Sequence, residues 1–254
     1  MNRQILDSLR QVVNIAYFGQ RSCGFRCDAQ QIDLFMRSGT RTILNCSRQT
    51  GKSTAAALKA VHSACFRPQS TVIVTAPTRQ QTREFIRKVR NFAFLCGATL
   101  RGDKFTVQLK NGSRIVGIAA NEDTVRGFSA VSLLIIDEAS RVKDEVYYAL
   151  LPMLAVSNGS IWLLSTPKGK RGFFHAEWDS PEKEGWVKIR TKGQDCPRIA
   201  ADFLESQKRR MGERRFAQEF ECVFIDIAHG VFHPDAVRRA FTDNIKPLDF
   251  KDLI

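Results

Sequence analysis

The sequence predicts an α/β protein with a mainly parallel central sheet flanked by helices, and a small subdomain towards its C-terminal end. Apolar runs alternate with amphipathic ones along most of the chain, a pattern typical of βαβ units. Val131–Asp137 is an almost unbroken apolar run that closes on acidic residues, which is typical of a parallel strand buried on both faces. The 254 residues, 43% apolar and 26% charged, suffice for a large domain with a substantial core.

Each predicted element rests on its own pattern. Short apolar segments predict the strands Thr42–Cys46, Thr71–Ala76, Ile115–Ala119, Leu133–Asp137, Ile161–Ser165 and Trp186–Arg190. Longer amphipathic segments predict the helices Gly51–Cys65, Arg79–Leu95, Lys143–Leu154 and Ile199–Met211. Residues 98–120 alternate over short distances around the turn signal Lys110-Asn111-Gly112, so we expect an antiparallel hairpin there. Asp28–Phe35 is predicted to begin an amphipathic helix ahead of the first strand.

A loop ending in glycine, lysine and serine joins the first predicted strand to the first long helix. This layout is typical of a phosphate-binding loop, where backbone N–H groups and the helix N-terminus cradle the phosphates of a nucleotide. Gly51 lets the backbone approach, Lys52 neutralises the β- and γ-oxygens, and the Ser53 hydroxyl is placed for Mg²⁺. Cys46 departs from the usual pattern, which has glycine there. The predicted nucleotide-binding residues are Gln31, Ser47, Arg48, Gln49, Thr50, Gly51, Lys52, Ser53 and Thr54.

Two carboxylates close the apolar run that ends at residue 138. The carboxyl end of a buried parallel strand opens onto the ligand crevice of an α/β sheet. We therefore expect Asp137 beside Ser53, where the two would hold Mg²⁺, and Glu138 where it polarises the attacking water. The loop and the carboxylates, in this chain order, predict a nucleotide-hydrolysing site.

Hydrolysis also needs positive charge on the transition state, which an arginine finger supplies at a gain of about 10³–10⁵ in rate. Arg48 lies inside the loop and is placed to act within its own chain. Arg126 precedes Gly127, a predicted exposed bend from which an arginine reaches the nucleotide of a neighbouring subunit. The residues leave the choice between the two arginines open.

A polar strand tip and an upstream glutamine complete the predicted site. In motor ATPases such a tip senses loss of the γ-phosphate, so Ser165-Thr166-Pro167 is the predicted coupling element. A glutamine amide pairs with both N6 and N7 of adenine. We prefer Gln31 to Gln30 as the base-selecting residue because Leu34 and Phe35 follow at helical spacing.

Charge and cysteine content narrow the class of partner and compartment. The formal net charge of +13 favours a polyanion, with nucleic acid preferred to a membrane surface. No apolar run approaches the ~20 residues of a membrane span, and the N-terminus lacks the apolar region of a signal peptide. Seven cysteines, an odd number, favour a reducing compartment over a disulfide framework. Cys23 and Cys27 lack a second pair at zinc-site spacing, so no metal is expected there.

Together these residues resemble the ATPase domain of the large terminase subunit of tailed bacteriophages, the motor that packages DNA into capsids. The segments that carry the resemblance are Arg48–Ser53, Thr75–Thr78, Arg126-Gly127 ahead of Ile136-Asp137-Glu138, Ser165–Gly169, Gly172-Phe173-Phe174 and Phe216–Cys222. The resemblance covers residues 25–232 approximately, and an ordered set of this kind is specific.

The resemblance implies a P-loop NTPase of the ASCE, RecA-like type that hydrolyses ATP with Mg²⁺ to move double-stranded DNA into a procapsid. It implies phosphate binding by Lys52 and Gly51, Mg²⁺ binding by Ser53 and Asp137, water activation by Glu138, a finger from Arg126 in trans, and coupling by Ser165–Pro167. It also implies the portal protein and the small terminase subunit as partners, a homo-oligomeric ring during packaging with a monomer in isolation, no membrane, and action in the host cytoplasm.

The same resemblance divides the chain. We expect an ATPase core with an N-terminal helical, adenine-binding segment at residues 1–178, a small lid at 179–232, and the start of a linker at 233–254. Large terminases also carry an RNase H-like nuclease with clustered aspartates. Since the chain stops at Ile254, we expect it to be the ATPase part of a longer protein that does not cut DNA. The basic helical stretch Phe203–Phe220 is predicted to present either a solvated face or a DNA-contacting one.

Two other functions share part of this pattern. A superfamily 1 or 2 helicase has the same loop, the Asp-Glu strand and a segment like Thr75–Arg79, but it needs a second RecA-like domain, and fewer than ninety residues follow Pro167. A nucleotide-gated DNA-binding module without hydrolysis has less need of Glu138.

Overall fold

The computed structural model describes residues 3–121 and 127–225. Three helices lead into the first strand: α1 (Arg3–Val13), α2 (Ile15–Cys23) and α3 (Ala29–Arg37). The helix predicted to follow Asp28 is confirmed, whereas α1 and α2 carried no prediction of their own. The predicted finger Arg126 and the predicted linker 233–254 lie outside the described residues.

Within the described residues, eight strands form one sheet. They are β1 (Arg41–Cys46), β2 (Thr71–Ala76), β3 (Thr99–Gly102), β4 (Thr106–Leu109), β5 (Arg114–Ala119), β6 (Val131–Asp137), β7 (Ser160–Ser165) and β8 (Trp186–Thr191), in the order β3-β4-β5-β2-β6-β7-β1-β8. From β5 to β8 in that order, every neighbouring pair is parallel. β4 pairs antiparallel with both β3 and β5. The mainly parallel sheet and the hairpin at residues 98–120 are therefore confirmed.

Six further helices pack around the sheet. They are α4 (Lys52–Phe66), α5 (Arg79–Leu95), α6 (Asp144–Leu150), α7 (Gly172–Asp179), α8 (Ala201–Met211) and α9 (Glu213–Phe220). The helix predicted for Lys143–Leu154 is α-helical only to Leu150 and continues as a 3₁₀ turn, since Pro152 has no N–H to donate. α7 was not predicted. Its first turn is capped by the Asp144 carboxylate, which accepts a hydrogen bond from the Phe173 N–H at 2.8 Å.

Successive residues of the central strands point to opposite faces of the sheet and build two apolar layers. One layer, packed under α4 and α5, contains Leu44, Ile135, Trp162 and Leu164 together with Leu58 and Phe85. The other, packed under α6 and α7, contains Ile43, Leu134 and Leu163 together with Tyr147 and Phe173. Covering both faces explains why the strands read as continuous apolar runs, and it fixes their carboxyl ends at one edge.

The C-terminal helices α8 and α9 pack on each other through a small apolar cluster of their own, Leu204, Phe216 and Phe220. β8, which falls within the segment predicted as a lid, pairs with β1 in the main sheet. The division at residue 179 stays a prediction. All seven cysteines are free. None of the described helices combines the length and apolarity needed to cross a bilayer.

Candidate active site

Three neighbouring parallel strands, β1, β7 and β6, end at the same edge of the sheet. The predicted phosphate loop leaves β1, the predicted coupling residues leave β7, and the two carboxylates close β6. These segments therefore lie close together at that edge, beside a cleft of about 450 Å³. The residues that line this cleft come from the loop, from α5 and from the turn after β6: Arg48, Gln49, Gly51, Lys52, Ser53, Thr54, Gln81, Lys88, Glu138 and Arg141.

Hydrogen bonds within the loop and to β8 hold the loop between β1 and α4 in shape. Gly51, with φ of 77°, takes the left-handed conformation that precedes the first turn of α4. The Thr50 hydroxyl donates to the Ser47 carbonyl at 2.9 Å, and the Ser47 N–H donates to the Thr191 carbonyl of β8 at 2.9 Å. Ser47 and Thr50 are buried and their side chains do not line the cleft. Only their backbone remains for the predicted contact with a nucleotide.

Glu138 is held by two cations. Lys52 Nζ lies 3.1 Å from its Oε1, and an Arg141 guanidinium N–H donates to its Oε2 at 2.9 Å. The same guanidinium reaches the Thr166 hydroxyl at 3.4 Å. Lys52 thus pairs with the catalytic candidate, and Arg141 connects that candidate to the tip of β7. Arg141 was not among the predicted site residues, because its spacing of three from Glu138 indicates a contact only where a helical turn follows β6, and no turn was predicted there.

Asp137 is buried, and its carboxylate accepts hydrogen bonds from the Glu138 N–H at 3.0 Å and from the Ser53 hydroxyl. Burial raises the pKa of the Asp137 carboxyl above its ordinary value, whereas the charge of Lys52 and the Ser53 hydrogen bond act in the opposite direction. The Asp137 carboxylate and the Ser53 hydroxyl lie side by side and offer two hard oxygen ligands, which suit Mg²⁺. Among the described residues no group of three or more His, Cys, Asp or Glu side chains could hold a metal ion.

The predicted coupling residues contact the turn that follows the carboxylates. The Ser165 hydroxyl donates to the Ser140 hydroxyl at 2.8 Å, and the Ser140 hydroxyl donates to the Thr166 carbonyl at 2.8 Å. Pro167 is buried beside them. The tip of β7 is therefore bonded to the 3₁₀ turn Ala139–Arg141 through side chains that the strand order brings together.

Arg48 points to α9 in this structure. Its Nε lies 2.5 Å from Glu219 Oε2, and its backbone N–H donates to the Glu219 carbonyl at 3.3 Å. To act on a phosphate from within the chain, Arg48 would first have to leave this partner. Whether Arg48 or Arg126 is the finger stays open.

The predicted adenine contact is only partly available. Gln31 is buried against the back of the loop, and its Oε1 accepts the Asp28 N–H at 3.2 Å in a capping box. Its Nε2 lies so near the loop that a Cβ on Gly51 would come within 3.0 Å of it. Gln30 donates from Nε2 to the Asp195 carbonyl. Pairing of Gln31 with both adenine atoms requires opening the capping box, and its role stays a prediction.

Arg198 also reaches the loop, from the segment between β8 and α8. One guanidinium N–H donates to the Thr50 carbonyl at 2.7 Å, and another nitrogen is ion-paired with Asp28. These partners lie far apart along the sequence, so no local pattern could have indicated the contact.

Comparison with known proteins settles the family. The model of the terminase large subunit, T4likevirus-type, N-terminal family matches residues 43–239. The chain belongs to this family. The terminase large subunit of Thermus virus P23-45 is 28% identical over 188 residues, which cover 64% of this chain and 39% of that protein. The terminase large subunit of Escherichia phage T5 is 32% identical over 124 residues, covering 46% of this chain and 28% of that protein. The chain thus spans well under half the length of these relatives.

Solved structures of terminases share the fold. The ATPase domain of the Thermus phage P74-26 large terminase superposes with a TM-score of 0.69 at 23% identity, covering 81% of this chain and 97% of that domain. The large terminase of a thermophilic bacteriophage in complex with ADP gives a TM-score of 0.64 at 11% identity, covering 86% of this chain and 53% of that one. The predicted P-loop fold and the family resemblance are both confirmed.

Proposed function

We propose that this terminase chain hydrolyses ATP with Mg²⁺, and that hydrolysis drives double-stranded viral DNA into a procapsid in the infected host cell. The observation that carries the proposal is the convergence of Lys52, Ser53 and Glu138 on one cleft, with the buried Asp137 hydrogen-bonded to Ser53 beside it. The names of the similar structures support it. One is called an ATPase domain, and the terminase of the thermophilic bacteriophage was solved with ADP and with ATP-γ-S.

The geometry suggests how the chain's own residues would act. The loop N–H groups and the N-terminus of α4 hold phosphates next to Lys52. Lys52 then turns from Glu138 to the phosphates and frees one carboxylate oxygen to orient the attacking water. Arg141 keeps the second oxygen in place. Ser53 and Asp137 would hold Mg²⁺, which supplies charge neutralisation on the phosphates when bound.

Coupling and assembly form the next part of the proposal. Loss of the γ-phosphate lets Glu138 return to Lys52, and Arg141 passes this change to Thr166 at the tip of β7. A homo-oligomeric ring places Arg126 of one subunit at the nucleotide of the next. DNA contacts the exposed basic residues of α8 and α9, which are Lys208, Arg209, Arg210, Arg214 and Arg215. The portal protein and the small terminase subunit are the further partners that we propose.

The test is ATP turnover with Mg²⁺, with and without double-stranded DNA, for the wild type and Glu138→Gln. We expect the variant to lose at least ~100-fold in turnover while it still binds ATP, because the carboxylate acts on the water. Exposed Glu205→Gln serves as the control for loss of one negative charge. Equal turnover by wild type and Glu138→Gln would remove the glutamate from catalysis. Nucleotide binding without turnover in the wild type would favour a nucleotide-gated DNA-binding module.

A further inference from the structure

The helix α5 forms a second wall of the cleft. Phe85, Ile86 and Val89 bury one face of α5 against the sheet. Gln81 and Lys88, two turns apart, lie at the border of that face and line the cleft. Lys88 is half-buried, and it lines this cleft as well as the neighbouring pocket beside Phe92.

The cations of the cleft differ in how they are neutralised. Arg48 is paired with Glu219, and both Lys52 and Arg141 are paired with Glu138. Within the described residues Lys88 has no carboxylate at ion-pair distance. It is therefore the cation of this lining whose charge is still available to an anionic ligand.

The residues around Lys88 indicate which part of a bound nucleotide it would contact. Burial lowers the pKa of the Lys88 amine; the charge of Asp137 opposes this shift, whereas the charges of Lys52 and Arg87 add to it. Lys88 in turn acts on Asp137. Lys88 lines the cleft together with Ser53, Glu138 and Arg141. Because Glu138 is the residue proposed to orient the water that attacks the γ-phosphate, the γ-phosphate is the part of the nucleotide that Lys88 faces.

We propose that Lys88 binds the γ-phosphate of ATP from the α5 wall of the cleft. This inference rests on the proposed function of the site, and it adds a residue that distinguishes ATP from ADP. The phosphate loop contacts phosphates that both nucleotides share as well as the γ-phosphate, whereas Lys88 contacts only the group that hydrolysis removes. Release of the γ-phosphate then also releases α5 from the nucleotide.

The experiment compares the binding of ATP-γ-S and ADP, each with Mg²⁺, by calorimetry on the whole chain. Lys88→Met keeps the apolar stem and removes the charge, so the fold is expected to survive, which thermal unfolding checks. The neighbouring Arg87→Met is the matched control, because Arg87 is exposed and paired with Glu84 on its own helix. We expect Lys88→Met to weaken ATP-γ-S binding roughly 10- to 100-fold, the range of one charge-assisted hydrogen bond, and ADP binding less than about threefold.

Arg87→Met is expected to leave both affinities unchanged, and Lys88→Arg to restore part of the preference for ATP-γ-S. Unchanged binding of ATP-γ-S by Lys88→Met would overturn the inference alone. Equal losses for the two nucleotides would also overturn it, because they would place Lys88 at a phosphate that ADP retains. A wild type that binds neither nucleotide would overturn both the inference and the proposed function.

Discussion

Two regions around the phosphate loop hold their residues in different ways. The strand side consists of the segments that leave β1, β6 and β7, at residues 46–54, 137–141 and 165–167. These segments continue from strands whose side chains are almost wholly buried. The helical side consists of residues 192–222, which reach the loop through Glu219 and Arg198. The side chain of Arg48, which is the partner of Glu219, is 57% exposed, and the side chain of Arg198 is 44% exposed.

This difference bears on which region moves. Ladder hydrogen bonds and apolar layers fix the strand side, and moving one strand would disturb the whole sheet. The contacts of the helical side are instead single ion pairs, each between an arginine that is about half exposed and a carboxylate that is mostly buried, and either pair can open when the arginine side chain rotates. We expect nucleotide chemistry to depend on the strand side and opening of the cleft to depend on the helical side.

The largest effect is expected at Asp137. Asp137→Asn removes a metal ligand, so Mg²⁺-dependent turnover should fall at least ~100-fold, measured against exposed Asp202→Asn. The nucleotide-free variant should nevertheless be more stable than the wild type by about 1 kcal/mol near pH 7, because a buried carboxylate is lost.

The pH dependence of this stabilisation follows from the raised pKa of Asp137. In the wild type the carboxyl takes up a proton in the folded state more readily than in the unfolded state. The cost of burying its charge is therefore present at neutral pH and disappears as the pH falls through the folded pKa. Denaturant unfolding should show the advantage of Asp137→Asn shrinking as the pH is lowered from 7 towards the ordinary pKa of an aspartate, about 4. An advantage that grows on acidification would mean that the carboxylate is stabilising.

The next effect concerns the link between the two strand tips. Arg141→Ala should reduce turnover roughly 10- to 100-fold, since it releases one oxygen of Glu138, and Thr166→Val should reduce it a few-fold. Because the two side chains are in contact, their effects should be non-additive by about 0.5–3 kcal/mol in a double-mutant cycle. Exposed Lys143→Ala beside the same turn is the control. Strict additivity would break the proposed path from Glu138 to Thr166.

The smallest effect is expected on the helical side. Glu219→Gln frees Arg48 to approach the phosphates, so ATP affinity should increase a few-fold while stability changes by less than about 1 kcal/mol. Glu213→Gln on the same helix is the matched control. Calorimetry and thermal unfolding measure the two quantities. A loss of affinity with Glu219→Gln would show that the helical side is a fixed part of the site.

The same contrast explains what the sequence could predict. Gly51, Lys52 and Ser53 are contiguous, and Asp137 and Glu138 close one apolar run, so local pattern and strand order were enough to bring them together. Arg141 was missed because its pairing depends on the 3₁₀ turn after β6. The contacts of Arg198 and Glu219 join segments that lie far apart in the chain, and no local sequence pattern indicates that these segments are in contact. For Gln31 a local interaction was overlooked: its side chain forms a capping box, in which the oxygen predicted to pair with adenine already accepts the Asp28 N–H.

The position of β1 between β7 and β8 has a consequence for how the protein is made. β1 is translated early, but the two strands that cover its edges come from residues 160–165 and 186–191. Until β7 has been made, β1 has no neighbour on either side, and until β8 has been made, one edge of β1 is still unpaired. An unpaired edge is exposed to unwanted pairing with other chains. The phosphate loop therefore acquires its shape only late in synthesis, and chains released by the ribosome before residue 191 should aggregate before they can bind nucleotide.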